Sequence, residues 1–454
     1  VSRSPVVAVI GAGWAGLSAA LRLAEAGRSV VLLESHALPG GRARSLDLHG
    51  ARLDNGQHIL VGACRQALEQ IRRVGVDPDA ALLALPFGLS LRESGAAPVA
   101  IAPRSAGMLS MARALLQTVA SEPISVRIQT VLGAARMFYP SRIEDRAVQQ
   151  WLQSCRQPER LIRSLWEPLC VAVMNTPVEV ASAAVFQRVL RQTLLAQPED
   201  ARLLIPRVPL GQLFPEPALE RLRQLGAEIL MQSRVTAVAQ DASGRFRIRL
   251  RGRVAQLTAD QVIVATAPKA ANRLLPQCSA TAASRHALAT LGHRSICTVF
   301  LRYRNPLDEL PALTGLLGQQ GQWLIPRAIS GEPHWVAVVI STADDIAGAP
   351  RHVSWESVSR ELAETFPELG LAAAGFSVCE RAATFDCRVG IDARRPTPET
   401  GIPGLVLAGD YTAMGLPSTL EAAVQGGLLA ANRVLNPAAS AVPLPGCSRQ
   451  TSAG

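Results

Sequence analysis

The chain has 454 residues, 48% of them hydrophobic, which is more than one compact core holds, so two or three lobes around a large interior are expected. Its formal net charge of +10 comes almost wholly from arginine, because Lys269 is the only lysine. With aromatics at 4% and no basic run, no stacking platform is interleaved with charge, which argues against nucleic acid and leaves attraction to a membrane surface open.

Residues 6–10 form a continuous apolar run that suits a parallel strand buried on both faces. A glycine-rich turn follows, then helical spacing over 17–26 and a second strand at 30–33, a strand-turn-helix-strand unit. From 105 to 191 strand-like runs vanish and helices are expected, among them 108–119 and 160–169. A sheet signature returns at 228–238, 246–250 and 262–265, with further strands at 296–303 and 335–340 and a helix at 353–366. A strand at 405–408 precedes a last helix at 418–434, and the Pro-, Ala- and Ser-rich residues 437–454 read as a loose tail. These changes divide the chain at about residues 95, 204, 290, 394 and 436.

The eight cysteines are scattered without a CxxC pair and are expected as buried thiols of a reducing compartment. The first strand starts within a few residues of Val1, so no signal peptide is expected. No stretch approaches the roughly 20 apolar residues of a membrane span. A cytoplasmic protein follows from these readings, with peripheral contact at the inner face of the membrane left open. The seven histidines show neither HxxxH nor HExxH spacing, so no metal site is expected.

Gly11-Ala12-Gly13-Trp14-Ala15-Gly16 closes the first strand and opens a helix. The first glycine permits a tight turn, the second lets a pyrophosphate approach the backbone, and the third lets helix and strand pack closely. Glu34, at the end of the second strand, is placed to accept ribose hydroxyls. Gly40-Gly41-Arg42 adds a planar cation for the pyrophosphate. Far along the chain, the strand before Gly409-Asp410 and the helix opened by Gly415-Leu-Pro-Ser-Thr419-Leu420-Glu421 offer a carboxylate for a ribityl chain and a helix N-terminus for a flavin carbonyl.

This pair of distant motifs resembles the amine oxidase and carotenoid desaturase superfamily. The resemblance implies an α/β, two-domain fold, with a Rossmann-type FAD domain, the cofactor domain, built from 1–95, 205–290 and 395–436, and a mixed substrate domain with its sheet and helix at 291–394 and a helical lobe at 96–204. It also implies FAD as cofactor, backbone at Val235 facing the adenine, and the turn at Gly56-Gln57 near the flavin. The last helix reads Glu421-Ala422-Ala423 where the superfamily has Glu-Gly-Ala, which implies slightly looser packing there. The sole lysine follows a cofactor-domain strand, and only three tyrosines are present, which argues against amine oxidation.

Asp54-Asn-Gly-Gln-His58-Ile-Leu, Arg160-Leu-Ile-Arg-Ser-Leu-Trp166-Glu167-Pro168-Leu-Cys170, Met174-Asn175-Thr176-Pro177 and Leu204-Ile-Pro-Arg-Val-Pro-Leu together resemble the hydroxysqualene dehydroxylase family of bacterial squalene and hopanoid biosynthesis, over residues 6–435. That resemblance implies an oxidoreductase that replaces an allylic hydroxyl of a C30 isoprenoid by hydride from reduced flavin. The departing hydroxyl needs a proton donor, for which His58 and Glu167 are the two candidates. A desaturase acting on a carotenoid precursor, and a non-catalytic prenyl-chain carrier, are the alternatives; the presence of Glu34, Arg42 and Asp410 argues against the carrier. A substrate so insoluble in water makes some membrane docking expected, while the sequence names neither an electron donor nor an oligomeric state.

Overall fold

The computed structural model describes residues 5–436 except 96–98, 102–107, 121, 140–142, 195–196, 253–255, 346–352 and 413–414. The tail expected at 437–454, with Cys447, lies outside the described residues.

The apolar strand β1 (Val6–Ile10) passes through the glycine turn into α1 (Trp14–Glu25), which returns the chain to β2 (Ser29–Leu33). After α2 (Arg65–Arg73) come β3 (Leu89–Glu93) and β4 (Val99–Ile101). The helical lobe contains α3 (Met108–Thr118), α4 (Ile124–Phe138), α5 (Glu167–Met174) and α6 (Ala183–Leu194). The chain then forms β5 (Glu228–Leu230), β6 (Val235–Gln240) and β7 (Gln261–Val264). Next come β8 (His293–Arg302), β9 (Thr314–Leu317), β10 (Trp323–Pro326), β11 (Trp335–Ser341) and β12 (Ala374–Phe385). It closes with β13 (Leu405–Leu407) and α7 (Leu420–Leu435).

Two sheets organise these elements apart from β6, which pairs within a separate three-stranded sheet. The first is entirely parallel, in the order β5-β2-β1-β7-β13. Its central strands are buried on both faces, which is why they read as unbroken apolar runs rather than alternating ones. Three distant stretches of chain supply the strands, so α7 comes to pack against α1. Glycine makes that approach possible: a Cβ on Gly427 would overlap the Ala15 carbonyl. The second sheet is mostly antiparallel, in the order β12-β8-β11-β10-β9-β3-β4.

Four expectations need correction. Residues 89–93 do not belong with the cofactor domain, because β3 pairs in parallel with β9, Leu91 opposite Gly315. Nor is 228–238 one strand. The chain breaks at Gln232, whose φ is 52°, while Ser233 N–H donates to the Glu34 carbonyl at 2.6 Å, so β5 and β6 enter different sheets. The helix expected at 160–169 contains a π-helical turn, Ile162–Trp166, just before Pro168, which lacks the N–H that an α-helical ladder requires. Finally, Cys297 and Cys379 face each other across β8 and β12 as a disulfide, while Cys64, Cys155, Cys170, Cys278 and Cys387 are free.

Asn175 ties the helical lobe to the second sheet. It ends α5 in the left-handed region, with φ 46°. Its side-chain NH₂ donates to Thr384 Oγ1 and the Ser295 carbonyl, and its Oδ1 accepts from Thr342 N–H. Trp166 is likewise structural, fully buried with its indole N–H donating to Gln157 at 3.0 Å.

Candidate functional site: a dinucleotide crevice opening into an apolar cavity

The glycine turn has the shape its spacing implies. Gly11 sits at φ 108°, and a Cβ there would stand 2.5 Å from the Ala265 carbonyl oxygen. A Cβ on Gly16 would overlap the Gly11 carbonyl, so the third glycine is what allows α1 to lie on the sheet. Gly13 differs, because no atom lies within 4 Å of where its Cβ would stand. It is the N-cap of α1 and supplies no side-chain cap, so the first N–H groups of the helix are left without a capping side chain. A pyrophosphate fits such a cradle. The Trp14 ring turns away into the core against Phe214, so Trp14 and Ala15 shape the turn through their backbone.

Glu34 flanks this space. Its carboxylate accepts from Ala12 N–H and His36 N–H, both at 2.8 Å, and is almost fully buried. The turn at 231–233 hydrogen-bonds the backbone at Glu34 and His36, which brings Val235 at the start of β6 to the same end. On the other side the Gly40-Gly41 turn folds onto the first one: Gly40 N–H donates to the Ala12 carbonyl, and a Cβ on Gly41 would stand 3.3 Å from Gly13 Cα.

Arg42 leads from this turn to the far end of the chain. Its guanidinium donates to Asp410 at 2.6 Å and to the Ala383 carbonyl at 2.6 Å. Burial alone would raise the Asp410 carboxyl, but the Arg42 guanidinium and a hydrogen bond from Ser418 outweigh it and hold the carboxyl below its ordinary range. Gly409 precedes it at the end of β13, and its carbonyl accepts from Thr412. The N- and C-terminal motifs thus converge on one line that runs from Glu34 past Gly13 and Arg42 to Asp410. An extended dinucleotide matches that course, and these residues fit FAD.

Beyond Asp410 lies a cavity of about 670 Å³. Arg42, Gly56, Gln57, His58, Thr419 and Leu420 stand on its wall. Thr419 Oγ1 accepts from Ala422 N–H and caps α7, whose N-terminus therefore faces the cavity. Ala422 is fully buried beside it. Glu421 is also on the wall, with its carboxylate engaged by Gln66 N–H and Ala67 N–H at the start of α2. The remaining wall is largely apolar, with Phe87, Leu89, Leu169, Val173, Trp323 and Ile325 among its residues. It includes no tyrosine, and Lys269 is exposed and absent from it.

His58 is buried on this wall, with Nδ1 3.3 Å from the Gly56 carbonyl. Burial pushes its pKa below the ordinary 6.5, opposed by the Asp54 carboxylate and the hydrogen bond to Gly56. With Nδ1–H committed to that carbonyl, the neutral ring presents a lone pair at Nε2 and donates there only when protonated.

Glu167 fails as a cavity residue. Burial raises its pKa, as a proton donor would require, but Leu169, Ala172 and Val173 carry the cavity face of α5. Glu167 lies about 200° around the helix from Leu169. The carboxylates that do reach the wall are Asp200, Glu380 and Glu421. Asp200 is held by Arg65 in two hydrogen bonds and Glu421 caps α2, which leaves Glu380 on β12 as an acid that motif reading missed.

Arg327 was also missed. It is 2% exposed, pairs with the equally buried Asp54 at 3.4 Å and donates to Gln57 Oε1 at 2.5 Å. An arginine only donates, so Gln57 must turn its oxygen toward Arg327. Its Nε2 is buried without a hydrogen-bond partner beside the cavity.

Comparison with known proteins agrees with this layout. The family described as flavin containing amine oxidoreductase matches residues 14–435. A hydroxysqualene dehydroxylase of Rhodopseudomonas palustris is 30% identical over 95% of this chain and 99% of its own length. One from Sinorhizobium fredii is 29% identical over 95% of this chain and 98% of its own. Among solved structures, an oxidoreductase from Methanosarcina mazei is similar with a TM-score of 0.72 at 17% identity, covering 93% of this chain and 99% of that one.

Proposed function

Because the chain belongs to the flavin containing amine oxidoreductase family, and within it to the hydroxysqualene dehydroxylases, we propose that it reductively removes the hydroxyl group of hydroxysqualene to give squalene. The observation that carries this reading is the cavity: a largely apolar chamber of about 670 Å³ beside the cofactor crevice, on whose wall Arg42, Gln57 and His58 stand with the N-terminus of α7. Reduced FAD, when bound, supplies a hydride equivalent. The protein's share is to position, to protonate and to keep water out.

Hydroxide is a poor leaving group, so the C–O bond breaks with a proton and the hydroxyl departs as water. The allylic carbon left behind must not meet solvent, and the wall of leucine, valine and aromatic side chains excludes it. Protonated His58 is the group that holds the proton, at Nε2, while Gln57 Nε2 offers a hydrogen bond to the oxygen that leaves.

Anaerobically reduced protein incubated with hydroxysqualene should yield squalene as its flavin reoxidises. A flavin that stays reduced, with no squalene formed, removes the proposal. Oxidised protein that instead desaturates a carotenoid precursor would support the reverse chemistry in the same chamber.

The His58 assignment has its own signature. The folded-state pKa is depressed, so the protonated fraction, and with it the rate of the chemical step, should fall as pH rises through a value below 6.5. His58→Gln should lower kcat by about a hundredfold and erase that limb while flavin content is kept. Retention of the limb in His58→Gln, together with its loss in Glu380→Gln, would move the proton to Glu380.

A further inference from the structure

α4 is apolar on the wrong side as well as the right one. Its inner face, with Thr130, Gly133, Ala134 and Met137, is buried in the helical lobe. Its outer face carries Ile124, Ile128 and Leu132, spaced every four residues and therefore in one stripe. They are 74%, 54% and 61% exposed, and Tyr139 continues the line at 66%. An apolar stripe on the outer face of a helix whose inner face is already buried is a surface that something else can cover.

The flanks state what kind of surface that is. Taking about 100° per residue, Arg127 and Arg136 lie to either side of the stripe; Arg136 is exposed, while Arg127 is half-buried with its Nε enclosed. α3 and α4 together hold Arg113, Arg127 and Arg136 and no carboxylate; Glu122 lies in the turn between them. Apolar side chains at the centre, arginines at the rim and a tyrosine at one end match an anionic bilayer surface.

We propose that the outer face of α4, through Ile124, Ile128, Leu132 and Tyr139, docks the protein on an anionic membrane. The location suits the proposed reaction, on which its purpose rests. α6 packs against α4, with Gln187 donating to the Met137 carbonyl at 3.0 Å, and Val189, Leu190 and Leu194 of that same α6 form part of the cavity wall. Two helices, α4 and α6, therefore lie between the stripe and the chamber, which places the stripe on the side of the lobe that backs the cavity. No helix among the described residues is long and apolar enough to cross a membrane, so the contact proposed is superficial.

Flotation of the holoenzyme with phosphatidylglycerol–phosphatidylcholine vesicles, against phosphatidylcholine alone, tests this. The wild type should float preferentially with the anionic vesicles. Ile128→Glu with Leu132→Glu should cut the bound fraction by at least about tenfold, and Arg127→Gln with Arg136→Gln should abolish the preference for anionic lipid. Turnover of hydroxysqualene dispersed in detergent should be unchanged in the Ile128→Glu, Leu132→Glu protein, while turnover of vesicle-borne substrate falls. Equal flotation of that variant and the wild type overturns the proposal. So does a wild-type dimer, seen by sedimentation, that the same substitutions dissociate, since a second copy would then cover the stripe. Wild-type flotation without turnover in detergent would sustain docking and remove the dehydroxylase reading instead.

Discussion

Replacing Gly13 by alanine should cost the protein its flavin and leave its fold intact, whereas the same change at Gly16 should damage the fold itself. Both glycines belong to one six-residue turn, so motif reading treats them alike. The structure separates them. An added methyl at Gly13 meets nothing within 4 Å and enters only the space in which the glycine turn would cradle a pyrophosphate. At φ −76° the backbone there suits any residue. Gly13→Ala should therefore unfold at the wild-type denaturant concentration when flavin is absent, while FAD affinity drops by about a hundredfold, the worth of two lost charge-assisted hydrogen bonds. At Gly16 the methyl collides with the Gly11 carbonyl and crowds the Ala265 side chain at 3.1 Å, both part of the tight packing of α1 on the sheet. Neither can yield as the tip of a flexible side chain could. A loss of more than about 3 kcal/mol follows for Gly16→Ala, read as a shifted urea midpoint in the apoprotein. Equal apoprotein stabilities for the two variants would mean that α1 does not press on the turn as described.

That contrast marks the boundary of what could be read from residues alone. The glycine turn, Glu34, Arg42 and the Gly409-Asp410 strand end were legible because each is a local pattern whose chemistry dictates its neighbours. Convergence of Arg42 with Asp410 followed once both motifs were assigned to one ligand. What resisted reading was set by distance and by phase. Arg327 stands among an excess of arginines, and nothing in Trp323-Leu-Ile-Pro-Arg327 announces that its partner is Asp54, 273 positions away. Residues 89–93 look like any short strand, and only pairing with β9 decides which sheet owns them. Glu167 was placed by its motif, yet the cavity face of α5 belongs to Leu169, Ala172 and Val173. The π turn at Ile162–Trp166 just before it breaks the helical phase by which such a direction is judged.

Arg327 yields the second large effect. Asp54 is 1% exposed, with Oδ1 accepting from Ser45 Oγ and Leu210 N–H and Oδ2 facing the guanidinium. Removing the cation strands a buried carboxylate, so Arg327→Met should destabilise the protein by roughly 3–5 kcal/mol. Adding Asp54→Asn removes the stranded charge, and the double variant should recover most of that loss, with the urea midpoint returning toward the wild type. Activity should not follow it back. Without Arg327 nothing fixes which end of the Gln57 amide faces the cavity, and the donor at Nε2 becomes an acceptor half the time. In the refolded double variant kcat for squalene formation should stay about tenfold low, the scale of one lost hydrogen bond to the departing oxygen, with KM and FAD content near normal. Full recovery of kcat together with stability would reduce Arg327 to a structural ion pair. Asp54→Asn also removes a carboxylate that supports protonated His58, so a kcat that stays low on the acid plateau, where His58 is fully protonated, would establish that Arg327 sets the direction of the Gln57 amide.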